Sequence, residues 1–202
     1  MGSNSFLEIE HKFIVGPDFD RDKFAKNLAN LSPTRQAKVS VRDTYFVLAH
    51  DNKHVFRHRF DNEIQQLTVK SVEGDAAVRL EINLPIDQSK GDQKAAVNEF
   101  MKVLGCLWQG DLAKDIEVAY FEDCEIVLYR ASNKSETIYC IEFEAIDPKS
   151  VDEGLAVLSK FERALGFESK DRDRRSLFEL LLLENAPAEV RHMFESKKNH
   201  KN

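Results

Sequence analysis

The segment Ser5–Val15, with the sequence SFLEIEHKFIV, alternates charged and apolar side chains along most of its length. Glu8, Glu10 and Lys12 fall on one side of this alternation, and mainly apolar residues fall on the other. Successive side chains of a β-strand point to opposite faces, so the segment is predicted to be a strand with one charged face. For this strand alone, an ordinary sheet with one solvated face would explain the pattern.

The same pattern recurs in later strand-like segments, where charged residues two positions apart share a face. Like charges often stand side by side, and they repel each other unless opposing strands compensate them. A closed barrel with these faces inward, apolar faces outward and helices covering them explains both patterns. The inward set is five acids and five bases: Glu8, Glu10, Glu81, Glu142 and Glu144, with Lys12, Arg57, Arg59, Lys70 and Arg79.

Periodicity predicts the other elements of the chain. Their order, strands followed by a helix, strands and helices, is typical of an α+β fold dominated by antiparallel pairing. The predicted strands are Lys38–Leu48, His54–Phe60, Glu63–Val72, Ala77–Leu84, Ile116–Phe121, Cys124–Ala131 and Thr137–Ile146. The predicted helices are one capped by Asp18 or Asp20, one from Gln93 to Leu107, one from Ser150 to Gly166, and one from Arg174 to Leu183.

Length and charge limit the possible organisation and partners. The 202 residues predict one domain over residues 1–185, followed by a polar tail over residues 186–202. The net charge of -6 argues against nucleic acid or an anionic membrane as the main partner. The longest apolar run, Leu180–Leu183, is far shorter than a membrane span, and the first residues do not resemble a signal peptide. A cytoplasmic protein is therefore expected.

The three cysteines, Cys106, Cys124 and Cys140, have no metal-binding spacing. Such residues in a cytoplasmic protein are expected to be buried, reduced thiols. His11 and His58 alternate out of phase with the charged sets, so neither is expected to face the barrel interior. His54 stands at the start of a strand, where it is expected to be solvated.

The charged interior predicts its own ligand. Paired carboxylates are hard-oxygen ligands suited to Mg²⁺ or Mn²⁺. Arginine and lysine side chains match phosphate oxygens, the arginines through two parallel hydrogen bonds. Carboxylates and bases that face one channel therefore indicate a metal–polyphosphate complex.

These residues resemble the CYTH family, the triphosphate tunnel metalloenzymes, over about residues 5–183. The family opens with a Glu-x-Glu-x-Lys strand, which resembles Glu8–Lys12 in this chain. The further segments that are similar to family motifs, in family order, are Val41–Phe46, Phe56–Arg59, Leu67–Lys70, Arg79–Glu81, Ile141–Glu144 and Arg175–Leu181.

The chain departs from the family pattern at three places. Asn83 stands where the fifth strand usually has a third carboxylate. Lys114 supplies only half of the usual basic pair on the sixth strand, since Asp115 and Ile116 follow it. Tyr129 replaces an aspartate on the next strand. These departures leave the substrate open.

The resemblance implies an α+β fold with a closed eight-stranded antiparallel β-tunnel, a polar interior and helices outside. Family activities are inorganic, thiamine and RNA 5′-triphosphatase and class IV adenylate cyclase, and this chain looks closest to the thiamine-triphosphatase-like branch. We expect a Mg²⁺- or Mn²⁺-dependent hydrolase of inorganic triphosphate or a small organic triphosphate such as thiamine triphosphate, acting as a monomer or homodimer. A cyclase and a non-catalytic polyphosphate-binding module, the latter suggested by Asn83, are the alternatives.

The resemblance and the charge chemistry together suggest a role for each residue. The expected catalytic residues are Glu10, Lys12 and Glu81. The expected substrate-binding residues are Lys12, Arg57, Arg59, Lys70, Arg79 and Lys114. The expected metal ligands are Glu8, Glu10, Glu81, Glu142 and Glu144.

Overall fold

The structure, a computed structural model, describes residues 6–72 and 77–195. Its strands are β1 (Leu7–Val15), β2 (Arg35–Leu48), β3 (His54–Phe60), β4 (Gln65–Ser71), β5 (Val78–Pro85), β6 (Cys106–Tyr120), β7 (Cys124–Ser132) and β8 (Thr137–Ala145). Its α-helices are α1 (Arg21–Asn30), α2 (Lys94–Val103), α3 (Val151–Leu165) and α4 (Ala188–Glu195). Short helical turns lie at Gln88–Lys90, Ser169–Asp171 and Phe178–Leu183.

The strands form a closed barrel in the order β1-β5-β4-β3-β2-β6-β7-β8, with every pair antiparallel. The predicted eight-stranded antiparallel tunnel is confirmed. Strand β1 closes it by changing neighbours along its length. Residues 7–9 pair with β5, and residues 10–15 pair with β8.

The outer face of β1, β7 and β8 carries an apolar cluster covered by α1 and α3. Phe13, Ile126, Ile141 and Phe143 contribute from the strands, and Leu158 contributes from α3. This is the expected division, with apolar faces outward and helices over them. Burial of such side chains contributes on the order of 1.5–3 kcal/mol each.

The predicted ends of α1 and α3 are confirmed by their caps. The Asp20 carboxylate accepts a hydrogen bond from the Lys23 amide, and the Ser150 hydroxyl accepts one from the Glu153 amide. Gly166 ends α3 with a φ of 82°, a conformation that glycine adopts without steric cost.

The region between α2 and β6 differs from its prediction. The helix expected over Gln93–Leu107 ends at Val103, and the strand expected to begin at Ile116 begins at Cys106. Gly105 causes the change, because its φ of 84° turns the chain out of the helix. The next residue then pairs with Leu48 and starts the long β2–β6 ladder.

The C-terminal segment closes one end of the barrel. Phe178 and Leu181 are buried there against Tyr45, Val55 and Tyr129 of the barrel. The helix predicted from Arg174 starts later, near Leu177. Its first residues are extended instead, because the Asp173 amide donates a hydrogen bond to the Lys12 carbonyl at 2.8 Å.

The predicted polar tail over residues 186–202 is in part a packed helix. Ala186, Val190 and Phe194 join the apolar cluster at the closed end, because α4 places the last two on one face. Residues 196–202 lie outside the described residues. Cys124 and Cys140 are buried free thiols as predicted, and Cys106 is a half-buried one. Within residues 6–72 and 77–195, we find no helix with the length and apolar character that crossing a bilayer requires.

Candidate functional site

A cavity of about 430 Å³ fills the barrel, and all eleven predicted site residues line it. They are Glu8, Glu10, Lys12, Arg57, Arg59, Lys70, Arg79, Glu81, Lys114, Glu142 and Glu144. Because side chains alternate along each strand, residues two apart share the inner face. The register then sets opposite charges across neighbouring strands, as for Lys12 with Glu142 and Lys70 with Glu81.

Lys70 links two carboxylates of neighbouring strands. Its Nζ lies 2.9 and 3.0 Å from the two carboxylate oxygens of Glu8, and it also contacts Glu81. Burial would raise the pKa of Glu81, but Lys70 and Arg57 hold that pKa well below its ordinary value. Burial does raise the pKa of Glu8, because Lys70 offsets it only in part.

Lys12 lies at the centre of a second group. Its Nζ is 3.0 Å from a Glu142 oxygen and 3.5 Å from a Glu10 oxygen, and it donates to the Arg175 carbonyl at 3.3 Å. Burial opposes ionisation of Glu142, but Lys12 and Lys114 lower its pKa to about 2. This carboxylate is therefore ionised at neutral pH.

Arg79 lies beside this second group. Its guanidinium is 3.3 Å from a Glu10 oxygen and donates to the Arg174 carbonyl at 3.0 Å. Lys12 and Arg79 are thus both held by backbone carbonyls of the extended segment 172–176. This segment precedes residues 177–194, which close one end of the barrel and which we call the C-terminal plug.

Glu144 is the least compensated acid of the cavity. It stands directly across from Glu10, and burial followed by the charge of Glu10 raises its pKa to about 8. Within residues 6–72 and 77–195, no side chain forms an ion pair with it. A cation placed among Glu8, Glu10 and Glu144 would relieve this repulsion.

A basic group lies around Asp43, which is not among the predicted site residues. Arg59 donates to both oxygens of this fully buried carboxylate, at 2.9 and 3.0 Å, and Lys114 Nζ is 2.8 Å from one of them. Burial and the charge of Arg59 lower the pKa of Lys114 to about 8. Asp43 thus holds two predicted phosphate-binding side chains in place. Its position in phase with Val41 and Tyr45 was the signal that could have identified it.

Each departure from the family pattern has a structural counterpart. Asn83 donates to Glu81 at 2.9 Å and accepts from the Thr68 hydroxyl at 2.7 Å, so it orients a carboxylate. The Tyr129 hydroxyl donates to Glu142 at 2.8 Å. Next to Lys114, Asp115 points outward to Arg130.

The histidines predicted to lie outside the cavity do so. His11 Nδ1 is 2.7 Å from the buried Glu162 of α3, and His58 hydrogen bonds to Gln65. His54 is partly exposed to solvent, and its Nδ1 also lies 2.8 Å from an Asp51 carboxylate oxygen.

The interior suits a divalent cation in its donor chemistry. The five carboxylates predicted as metal ligands face one cavity, and carboxylate oxygens are the ligands that Mg²⁺ and Mn²⁺ prefer. In the described parts of the chain, no three acidic, His or Cys side chains are already gathered around one point. Most of the carboxylates are instead turned toward Lys12, Lys70 or Arg79, bases that a phosphate could draw away from them.

Comparisons with known proteins agree with this architecture. A family model described as the CYTH domain matches residues 7–177. A comparison with curated protein sequences gives no match.

Several solved structures share the fold. The PH1012 protein from Pyrococcus horikoshii OT3 has a TM-score of 0.69 and 19% identity, covering 86% of this chain and 99% of that chain. HpAC1 from Hippeastrum, whose structure is described as revealing a dominant triphosphatase activity, has a TM-score of 0.62 and 19% identity, covering 90% and 98%. The Mimivirus capping enzyme triphosphatase has a TM-score of 0.51 and 13% identity, covering 82% and 91%. Identities this low show a common fold and no more.

Proposed function

The chain belongs to the CYTH domain family, and we propose that it is a metal-dependent triphosphatase. The reaction is hydrolysis of the terminal phosphate of inorganic triphosphate or of a small organic triphosphate such as thiamine triphosphate. The observation that carries this proposal is that the five predicted acids and the six predicted bases all line one cavity. Such a set complements a polyanion together with a cation and is far more than a barrel interior needs for packing.

The bases would neutralise the phosphate chain. Arg59 and Lys114 are paired with Asp43. The other four bases, Lys12, Arg57, Lys70 and Arg79, lie among the predicted acids. Arginine forks and lysine ammonium groups donate charge-assisted hydrogen bonds to phosphate oxygens. Side chains fixed in advance, as Arg59 and Lys114 are by Asp43, also stabilise charge that develops during phosphoryl transfer.

Glu8, Glu10 and Glu144 would hold a metal ion, with Glu81 and Glu142 completing the carboxylate set around it. When bound, Mg²⁺ or Mn²⁺ would polarise phosphate oxygens and lower the pKa of water. Glu10 and Glu81, as catalytic residues, would orient the attacking water toward the terminal phosphorus. Lys12, which lies between Glu10 and Glu142, would donate to the phosphate as negative charge builds up on it.

Phosphorus NMR tests the proposal directly. Purified protein is incubated with tripolyphosphate, thiamine triphosphate and ATP, each with Mg²⁺ and then with Mn²⁺, and with EDTA as the control. Orthophosphate that forms only with metal supports a triphosphatase. Pyrophosphate with cyclic AMP from ATP would identify a cyclase, and line broadening with Mg²⁺ that requires the protein and gives no products would identify a binding module. Either of these last outcomes would contradict the proposal.

A further inference from the structure

The wall of the tunnel is divided between two kinds of surface. All the predicted site residues except Lys114 come from β1, β3, β4, β5 and β8. The facing part of the wall, built by β2, β6 and β7, carries five aliphatic side chains: Val39, Val41, Ile116, Val118 and Val127. The same strands also line the cavity with three tyrosines and three charged residues: Tyr45, Tyr120, Tyr129, Arg35, Lys114 and Glu125. The cavity thus has a charged side and a mixed side, and we call the five aliphatic side chains of the mixed side the aliphatic side.

The aliphatic side runs from the C-terminal plug toward the opposite end of the barrel. Val118 and Val127 are cross-strand partners, and so are Val39 and Ile116. From there β2 and β6 run away from the plug to Arg35 and Tyr120. Ile116 and Val127 touch the apolar cluster of the closed end but stay only half-buried, so part of their surface faces the cavity.

A triphosphate alone does not account for this surface. Phosphate oxygens set against aliphatic side chains would lose water without gaining hydrogen bonds, which is unfavourable. Ligand pockets that combine an apolar wall with a few convergent polar groups bind molecules that have both kinds of surface. A cavity of about 430 Å³ is within the range of about 300–1,000 Å³ that holds drug-sized ligands.

The rim of the aliphatic side adds a flat surface. The Arg35 guanidinium lies over the Tyr120 ring, 4.1 Å from its centroid. Glu125 is the cross-strand partner of Tyr120 and also lines the cavity. A planar guanidinium–phenol pair next to a carboxylate favours a heteroaromatic group that carries hydrogen-bond donors.

We propose that the substrate is an organic triphosphate whose organic group lies against Val39, Ile116, Val118 and Val127, while its phosphates face the charged side. This inference rests on the proposed function for the placing of the phosphates. It favours organic triphosphates over inorganic triphosphate, since inorganic tripolyphosphate has no group that could contact the aliphatic side. A nucleoside triphosphate and thiamine triphosphate share the required chemistry.

The test compares binding and turnover of ATP, thiamine triphosphate and tripolyphosphate. Dissociation constants come from calorimetry with Ca²⁺ in place of Mg²⁺, and kcat/KM comes from phosphate release with Mg²⁺. We expect at least one organic triphosphate to bind about tenfold or more tightly than tripolyphosphate, a difference of about 1.4 kcal/mol. Which of the two binds better distinguishes a nucleoside from a thiamine substituent.

Variants locate the effect on the aliphatic side. Ile116→Lys adds a charge to that side and should reduce the preference for the organic triphosphate about tenfold or more. Ala113→Lys adds the same charge to the outer face of the same strand and should leave the preference unchanged. Val127→Thr, nearly equal in volume to the native residue, serves if Ile116→Lys does not fold, and should reduce the preference several-fold.

The outcomes also separate this inference from the proposed function. Equal or tighter binding of tripolyphosphate, or a preference that Ile116→Lys and Val127→Thr leave unchanged, would overturn the inference even if triphosphatase activity is found. Preferential binding of an organic triphosphate that the variants abolish, without phosphate release, would support the inference and reject the proposed function.

Discussion

Glu10 is in contact with several charged residues of the barrel interior. It is contacted by Lys12 and Arg79 and stands across from Glu144. Arg57 is equally enclosed, next to Thr68 and Glu81. Both side chains are buried among charged partners, so neither is an ordinary solvated surface group.

Replacing Glu10 by Gln, or Arg57 by Ala, should lower the rate of phosphate release by about 10²–10³, by analogy with the loss of one electrostatic contact to a transition state. Lys38→Ala, on the exposed outer side of β2, is the control and should retain full activity. Phosphate release is measured together with the unfolding midpoint. A folded Glu10→Gln protein with nearly normal activity would remove Glu10 from the catalytic set.

Glu144 gives a pH dependence whose sign follows from its raised pKa. The pKa is about 8 in the folded protein against an ordinary 4.5, so the folded state retains a proton that the unfolded state releases between these values. The resulting stability is fully present below pH 4.5 and is lost as the pH rises through 8, at up to about 1.4 kcal/mol per pH unit.

Glu144→Gln should therefore lose less unfolding free energy than the wild type between pH 5 and 7.5, with EDTA present. Glu8, whose pKa is raised in part by the charge of Glu144, is present in both proteins, so the difference between them reports Glu144 together with its effect on Glu8. Denaturant unfolding at several pH values measures it. Equal slopes would mean that Glu144 is already ionised in the folded protein without metal.

At the scale of single residues, the sequence predicts which charged side chains face the cavity. It predicts less well which other side chains hydrogen bond to them. Alternation and charge alone place Glu8, Arg57 and their neighbours on the inner face. Asp43 and Tyr129 are in phase with the inner face too, yet their roles depend on which side chains of other strands meet them. Such contacts depend on register, and register is not visible within a single strand.

Among the elements, α3 does more than cover the sheet. Its Glu162 is almost fully buried, accepts two hydrogen bonds from Arg172 and contacts His11 of β1. The same contacts hold the extended segment whose carbonyls receive Lys12 and Arg79. The helix thus holds β1 and this segment together from outside the barrel.

Glu162→Gln should leave buried His11 and half-buried Arg172 without their charged partner, and should destabilise the protein by about 1–3 kcal/mol. Because Lys12 and Arg79 lose a fixed support, KM for the triphosphate should rise more than kcat falls. Asp152→Asn, an exposed change in the first turn of α3, is the matched control. Denaturant unfolding measures the loss of stability, and steady-state kinetics measure KM and kcat. Lower stability with an unchanged KM would mean that Glu162 contributes to packing only.

The elements themselves are predictable to different degrees. Strands with clean alternation, such as β3, match their predicted ends. The first half of β6 does not, because the apolar residues before Gly105 extend the helical stripe of α2 in the sequence. A single glycine conformation decides that boundary, and periodicity does not detect it.

At the scale of the whole molecule, the cavity has one closed end. The plug formed by residues 177–194 could not be predicted, since the run Leu180–Leu183 shows that a segment is buried but not against what. The closed barrel itself could be predicted, because only a closed interior brings opposite charges to so many like-charged pairs.

A ligand that bridges all sides of such a cavity should stabilise the whole fold. At a ligand concentration about 100 times the dissociation constant, linkage predicts about 2.7 kcal/mol. For a chain of this length this corresponds to a rise in Tm of roughly 5–10 °C. Tripolyphosphate with Mg²⁺ or Mn²⁺ should produce the rise in calorimetric scans, and sulfate at equal ionic strength should not. An equal rise with sulfate would indicate only general anion binding.

The exchange of neighbours along β1 also has a consequence for how the protein is made. The strand synthesised first pairs with the last one, and His11 meets a helical partner 151 positions later. At about 5–20 residues per second, a ribosome takes on the order of 10–30 s to supply that partner. Until then residues 10–15 of β1 lack their β8 partner and expose an apolar face, so we expect chaperones to bind this segment and barrel closure to be the slow step of folding.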